Sequence, residues 1–181
     1  KNGNKIENGE IPVAIELSSL KINKEDFTMT KGTSETLTVT GTPAEALEGQ
    51  TITWKSSNKD VVTVDSKGKV EAVGVGNATI TATAAGKSDS VKITVNNPLK
   101  KITVDPATLT LKKGTSKTLS VKYDPADTTD NKAVTWESSD KSVATVDANG
   151  KVTALKDGSE TITAKVGKLT ATCALTVQEK K

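Results

Sequence analysis

The sequence predicts an all-β protein that consists of two tandem β-sandwich domains. Apolar residues alternate with threonine, serine or lysine in short segments, and turn residues interrupt these segments about every 8 to 12 residues. The same order of segments and turns occurs twice along the 181 residues. No stretch has the sustained i, i+3, i+4, i+7 spacing of apolar residues that marks an amphipathic helix.

The two copies align at a constant distance along the chain. Residues 31–34 (KGTS) return as 113–116, an offset of 82 residues (113 − 31). Trp54 returns as Trp136 with the same offset of 82 (136 − 54). Because the offset does not change, the copies align without a gap, and this indicates duplication of one domain.

Each copy consists of short segments in which β-branched residues predominate, as is typical of strands. The period of two predicts that each strand has one buried face. In chain order, the inward positions predicted for the first copy are Leu37 and Val39, Ile52 and Trp54, Val62 and Val64, Ile80 and Ala82, and Val91, Ile93 and Val95.

Glycines mark the turns between these strands. Lys67-Gly68 and Asn149-Gly150 each separate two alternating segments, and Asn-Gly favours a tight hairpin turn because both residues tolerate a positive φ. Gly74 and Gly76 look like half of a phosphate-binding loop, but no helical pattern follows them, so a turn is predicted there as well.

The combined motifs resemble those of the bacterial immunoglobulin-like domains of group 2. In the second copy they are WESS at 136–139, VATVD at 143–147, GKVTA at 150–154 and TITA at 161–164. The first copy departs at Val62 and Glu71, and its alternation is retained. The resemblance covers about residues 18–178 and implies two immunoglobulin-like β-sandwiches. It further implies a role as spacer or as contact to cell surfaces and glycans, in bacterial surface proteins such as intimin- and invasin-like adhesins or in phage tail and capsid proteins. The family shares no catalytic or binding residues.

The register of the repeat also predicts the domain boundaries. It assigns residues 18–96 to domain 1 and residues 97–181 to domain 2, joined at Asn96-Asn97-Pro98. Residues 1–17 are interpreted as an N-terminal linker or as the end of a preceding repeat, since Val13 lies 82 residues before Val95. A connection this short, stiffened by proline, predicts a semi-rigid rod. The chain begins with Lys rather than Met, so we expect a fragment of a longer protein.

The tryptophans and the single cysteine are predicted to belong to the two cores. Trp54 and Trp136 each lie in an alternating segment, which favours a core anchor over a residue that stacks on a ligand. Cys173 falls at an inward position of a strand, and the chain has no histidine to activate its thiol. We therefore expect a small buried hydrophobe rather than a nucleophile.

The composition argues against catalysis, nucleic-acid binding and membrane insertion. Without histidine there is no Ser-His-Asp or Cys-His arrangement, and no nucleotide-binding or Cys-x-x-Cys motif appears. No catalytic, cofactor-binding or metal-binding residue is assigned, and no cofactor is expected. All 25 basic residues are lysine, so the arginine fork that recognises guanine and phosphate is missing. No apolar run approaches the roughly 20 residues that span a bilayer.

Two constellations leave alternatives open. Asp124, Asp127 and Asp130 in the second copy, with Glu45 and Glu48 in the matching loop of the first, are carboxylates that could bind Ca²⁺. Their spacing lacks the glycine turn and closing glutamate of a known calcium loop, which favours solvated turn residues. A Lys–Asn isopeptide crosslink needs a buried lysine, asparagine and acid together, and no repeated trio is found, so we expect none.

These features favour a non-enzymatic stalk or adhesion module of a bacterial cell-surface protein, monomeric as a fragment. Its partner would be a host or bacterial surface protein or a glycan. The alternative is a carbohydrate-binding accessory of a secreted polysaccharide-degrading enzyme or of a phage particle, for which Tyr123 and Phe27 are the candidate aromatic residues. For Tyr123 a place at the domain rim is favoured. The absence of a disulfide is compatible with export from a Gram-positive cell.

Overall fold

The computed structural model describes residues 15–179, in which nearly all regular structure is β-strand. The one helical element of this part of the chain is a 3-10 turn over Ala44–Leu47. Val13, and with it the hypothesis of a preceding repeat, lies outside the described residues. The all-β prediction is confirmed.

The strands of the two halves follow one another in the same order. Domain 1 contains β1 Ser19–Ile22, β2 Phe27–Thr30, β3 Ser34–Thr36, β4 Val39–Thr42, β5 Thr53–Ser56, β6 Val62–Val64, β7 Lys69–Ala72, β8 Gly76–Ala84 and β9 Lys87–Asn96. Domain 2 contains β10 Lys101–Asp105, β11 Thr108–Lys112, β12 Ser116–Thr118, β13 Ser120–Asp124, β14 Thr135–Ser138, β15 Ala144–Val146, β16 Lys151–Ala154, β17 Gly158–Val166 and β18 Leu169–Gln178.

Both domains have the same sheet topology. In domain 1 a four-stranded sheet has the order β2-β9-β8-β5, a three-stranded sheet has the order β3-β7-β6, and β1 pairs with β4. Domain 2 repeats this as β11-β18-β17-β14, β12-β16-β15 and β10-β13. The pairings are antiparallel except for β2 with β9 and β11 with β18, which are parallel. Two tandem sandwiches are thus confirmed.

Alternation along the long central hairpins builds the cores. On β8 and β9, Ile80 pairs with Val91, and both side chains are buried. On β17 and β18, Ile162 pairs with Cys173, again with both buried. The threonines between them face outward, so each hairpin is apolar on one face and hydroxyl-rich on the other.

Each domain has a hydrophobic core of its own, and the chain divides into two compact units between Asn96 and Asn97. Leu17 was assigned from sequence to the N-terminal segment. It is instead only 5% exposed and packs in the core of domain 1, where its equivalent position in the repeat is Leu99. Folding of domain 1 therefore includes this residue.

The predicted strand through Leu37 and Val39 is divided between two sheets. Strand β3 pairs with β7, whereas β4 pairs with β1. Leu37 lies between them, fully buried, and its N–H donates to the carbonyl of Gly68. The chain can change sheets here because the backbone groups at the crossing still have partners.

The hairpin turn predicted at Asn149-Gly150 is present between β15 and β16, but only one of its two residues is at positive φ. Gly150 has φ +78°, but Asn149 is not at positive φ. The turn begins earlier, at Asp147, whose carboxylate accepts the N–H groups of Asn149 and Lys151. The turn at Gly68 is closed in the same way by Asp65. An aspartate that caps the turn makes a longer loop with a single left-handed residue preferable. By contrast, Gly74 lies in a bend that leads into β8, and Gly76 is the first residue of that strand, so no phosphate-binding loop is formed there.

Candidate functional site

The two indoles pack against the cores, but they are only half-buried. Trp54 on β5 pairs with Ala82 on β8 and contacts the core of domain 1. Its ring lies on the backbone of Gly68, where an added Cβ would be 2.9 Å from Cζ2 of Trp54. Trp136 and Gly150 repeat this contact at 2.9 Å. Both indoles thus pack against the cores, as predicted. The sequence did not indicate that their burial would be incomplete.

Trp136 also lines an open cleft of about 300 Å³ at the edge of domain 2. The other lining residues come from β14, β15 and the loop between them: Glu137, Ser138, Lys141, Thr145 and Val146. An aromatic ring beside one carboxylate and one ammonium group can contact a small polar ligand. The cleft has no histidine, because the chain has none.

The two candidate sugar-binding aromatic residues are both half-buried and already in contact with lysines. The Tyr123 hydroxyl donates to the carbonyl of Lys132 at 3.0 Å, and the Lys132 ammonium lies 5.2 Å from the ring centroid. Phe27 packs against the core of domain 1, with the Lys24 ammonium 4.9 Å from its ring centroid. Each ring is thus partly covered, and Tyr123 occupies the rim position that the sequence favoured.

The loop carboxylates of domain 2 do not converge. Asp127 accepts a hydrogen bond from the side chain of Asn97, and Asp130 accepts one from the N–H of Leu99. Glu45 and Glu48 in the matching loop of domain 1 are exposed. Within residues 15–179, no three histidine, cysteine or acidic side chains are grouped so that they could hold a metal ion. Asp127 and Asp130 are therefore more than solvated turn residues, because they fasten the segment that precedes β10.

Cys173 is fully buried, as the alternation predicted. Burial raises the pKa of its thiol, because the thiolate would lose its hydration. The isopeptide hypothesis required a buried lysine, and the buried polar residues of the described chain are Ser56, Asn97, Ser138 and Glu160. The chemistry available to these buried groups is hydrogen bonding.

Glu160 is a buried charged residue that sequence reasoning missed. It is 8% exposed, and its Oε2 accepts hydrogen bonds from the Ser138 hydroxyl and from the N–H of Asp140. Its Oε1 is buried without a hydrogen-bond partner. The equivalent residue of domain 1 is Ala78, so only domain 2 fastens the β14–β15 connection with a carboxylate. The one available signal was a glutamate at an inward position of an alternating strand.

Two exposed carboxylates have low pKa values for local reasons. The backbone N–H groups of Lys69 and Lys67 hold the pKa of Asp65 below its usual range. The Ser142 hydroxyl and N–H do the same for the pKa of Asp140. Both aspartates cap turns, and this is a structural use of negative charge rather than a catalytic one.

The described residues include no helix that is long and apolar enough to cross a bilayer.

Known proteins share this sequence pattern over most of the chain. Ice-binding protein 1 of Shewanella frigidimarina (strain NCIMB 400) is 32% identical over 170 residues, which are 90% of this chain and 19% of that protein. Lacto-N-biosidase of Bifidobacterium bifidum is 50% identical over 70 residues, 38% of this chain and 6% of that enzyme. The chain thus spans less than a fifth of these relatives.

The fold is also that of known immunoglobulin domains. The structure of the N-terminal four Ig domains of Dscam1 isoform 9.44 superposes with a TM-score of 0.55 at 14% identity, over 92% of this chain and 47% of that one. The model of the bacterial Ig-like domain (group 2) matches residues 17–95 and again residues 98–177. The chain therefore belongs to the bacterial immunoglobulin-like domain family, group 2, with one domain of that family in each half.

Proposed function

We propose that this chain is a non-catalytic spacer in an exported bacterial protein, which holds another part of that protein at a distance from the surface that carries it. The proposal rests on which residues the two copies share. The two copies share the residues that build the core edge and close the same turn. These are Trp54 and Trp136, Gly68 and Gly150, and Asp65 and Asp147.

The aromatic candidates for sugar binding and the carboxylate of the cleft, in contrast, are not repeated. Tyr123 corresponds to Gly41, Phe27 to Leu109 and Glu137 to Lys55. A ligand bound by each repeat would need the same surface groups in each. A spacer needs only the same fold, with solvated threonine and lysine side chains outside.

Domain replacement in the full-length parent protein tests this proposal. Residues 18–178 are exchanged for two unrelated immunoglobulin-like domains of the same length, and in a second variant domain 2 alone is deleted. The spacer proposal expects the exchange to retain the activity or adhesion of the parent protein and the deletion to reduce it. Loss of function in the exchanged protein, at normal surface expression, would contradict the proposal.

The second candidate function is carbohydrate binding, and the cleft beside Trp136 is the observation that favours it. A glycan array with the whole chain is the first measurement, followed by titration of any hit. Micromolar binding that is lost in Glu137→Lys, which introduces the residue found at the matching place in domain 1, would support this function. Binding lost in Tyr123→Ala would instead place the ligand at the rim. If the whole array gives only background signals, the spacer function is favoured over carbohydrate binding.

A further inference from the structure

The backbone at the connection between the domains is hydrogen-bonded at most of its residues. Asn96 is the last residue of β9, and its carbonyl accepts the N–H of Lys31 within domain 1. The next residue, Asn97, already belongs to domain 2 and is only 7% exposed. Burial of a residue at a domain boundary needs a cause, because boundary residues are usually solvated.

Four hydrogen bonds attach this segment to the loop between β13 and β14. The N–H of Asn97 donates to Oγ1 of Thr129 at 3.1 Å, and the N–H of Thr129 donates back to the carbonyl of Asn97 at 2.9 Å. The Asn97 amide donates to Oδ1 of Asp127 at 2.8 Å. The N–H of Leu99 donates to Oδ2 of Asp130 at 2.9 Å. We call Asp127, Thr129 and Asp130 the linker clasp.

The loop that carries the linker clasp is itself braced. The N–H of Asp130 donates to the Thr128 hydroxyl at 3.2 Å, and the Lys132 ammonium donates to the carbonyl of Ala126 at 2.8 Å. The carbonyl of Lys132 accepts the Tyr123 hydroxyl from the end of β13. A braced loop holds its acceptors in place before the linker binds, so less conformational entropy is lost in forming the clasp.

Within residues 15–179, domain 1 has no counterpart of the clasp. At the positions that match Asn97, Asp127, Thr129 and Asp130 it carries Ile15, Glu45, Leu47 and Glu48. Ile15 is 57% exposed and has no side-chain amide, and Leu47 packs against the core instead of offering a hydroxyl. The clasp therefore belongs specifically to the junction of the two domains and is not a general property of the repeat.

We propose that the linker clasp is a device that restricts the hinge between the two domains. Pro98 has a fixed φ, and Asn97, as the residue before a proline, is confined to extended backbone. The clasp holds both neighbours of Pro98, so the torsions left for interdomain motion are those around the Asn96–Asn97 peptide. The inference rests on the proposed spacer function for its biological purpose, since a spacer keeps its reach only when its joints are stiff.

Backbone ¹⁵N relaxation of the whole chain measures this restriction directly. With the clasp intact, the amides of both domains should report one shared rotational correlation time. In Asp127→Ala/Asp130→Ala the value should fall toward that of a single domain. The matched control is Glu45→Ala/Glu48→Ala, which removes the equivalent carboxylates of domain 1 and should leave the shared value unchanged.

Two further variants separate hinge restriction from damage to the fold. Asp127→Asn/Asp130→Asn keeps an acceptor oxygen at each place and should retain the shared correlation time. Insertion of two glycines between Asn96 and Asn97 leaves the clasp intact and sets the value for uncoupled domains. Unchanged amide shifts in β17 and β18 verify that domain 2 is folded in every variant.

The outcomes distinguish the clasp from the spacer function. If the alanine variant is folded and tumbles like the native chain, or if the native chain already tumbles like the glycine insertion, the clasp does not restrict the hinge. Neither result concerns the spacer function, which the domain replacement decides separately. Failure of the replacement with a normal relaxation result would reject the spacer function and leave the clasp in place.

Discussion

Substitution of Gly68 by alanine should destabilise domain 1 far more than substitution of Gly32. The two glycines have nearly the same φ, +80° and +86°. They differ in their surroundings, because a Cβ at Gly32 meets no atom within 4 Å. At Gly68 it would lie 2.4 Å from the carbonyl oxygen of Leu37 and 2.9 Å from Cζ2 of Trp54. The pair therefore separates backbone strain from packing.

The magnitudes follow from these two contributions. Alanine in the left-handed region costs about 1–2 kcal/mol, and this is the whole effect expected for Gly32→Ala. Gly68→Ala adds an overpacking cost of about 1–3 kcal/mol, because a backbone carbonyl and a packed indole must both shift. The expected total of about 2–5 kcal/mol is a large part of the roughly 4–12 kcal/mol that stabilise a domain of this size.

Urea unfolding followed by tryptophan fluorescence measures both changes. The background variant Trp136→Phe leaves Trp54 as the only tryptophan, so the signal reports domain 1 alone. Gly114→Ala and Gly150→Ala, read from Trp136 in a Trp54→Phe background, should repeat the contrast in domain 2. If Gly68→Ala and Gly32→Ala lower the free energy of unfolding by amounts that agree to within about 0.5 kcal/mol, the two losses are the same within the usual limit of additivity. The indole then does not rest on the backbone of Gly68.

Three further predictions concern single residues of either domain. Trp54→Ala should destabilise domain 1 by about 2–4 kcal/mol, below the upper range for a fully buried tryptophan because Trp54 is only partly buried. A loss under about 1 kcal/mol in urea would contradict its packing role. The folded-state pKa of Asp65 is depressed, so its contribution to stability is present above the unfolded value of about 3.9 and lost as pH falls through the folded value. In Asp65→Ala, the free energy of unfolding of domain 1 should therefore fall less steeply as the pH is lowered. An unchanged pH dependence would show that the hydrogen bonds to the Asp65 carboxylate do not stabilise the turn. Cys173 should resist a thiol reagent at neutral pH until urea unfolds domain 2, whereas labelling of the folded chain at the rate of a free thiol would mean that the strand opens.

Much of the fold could be predicted from sequence because it depends on local periodicity. In a strand, successive side chains point to opposite faces, so alternation at Ile80, Ala82 and Cys173 already decides which residues are buried. The constant offset of the repeat adds independent support, since each copy must close its own core. Both arguments use only neighbours in sequence and the spacing between copies.

The candidate sites depend on contacts that no local pattern contains. The capping of the turn at Gly150 was not predicted, because Asp147 closes it from outside the Asn-Gly pair. The loop carboxylates, for which the sequence favoured solvated turn residues over calcium ligands, bind a linker 30 residues earlier in the chain, as Asn97 and Asp127 show. Nothing in the alternation indicates which loop meets which segment.

The sequence alone therefore determined the strand pattern, the duplication and the absence of histidine chemistry. The tertiary structure decided that Trp54 and Trp136 lie partly buried on glycine backbones, that Glu160 is buried in only one domain, and that Asp127 and Asp130 bind Asn97 and Leu99. The physical reason is that burial follows from a two-residue period, whereas a hydrogen bond between distant segments forms only once the cores have placed both ends within about 3 Å of each other.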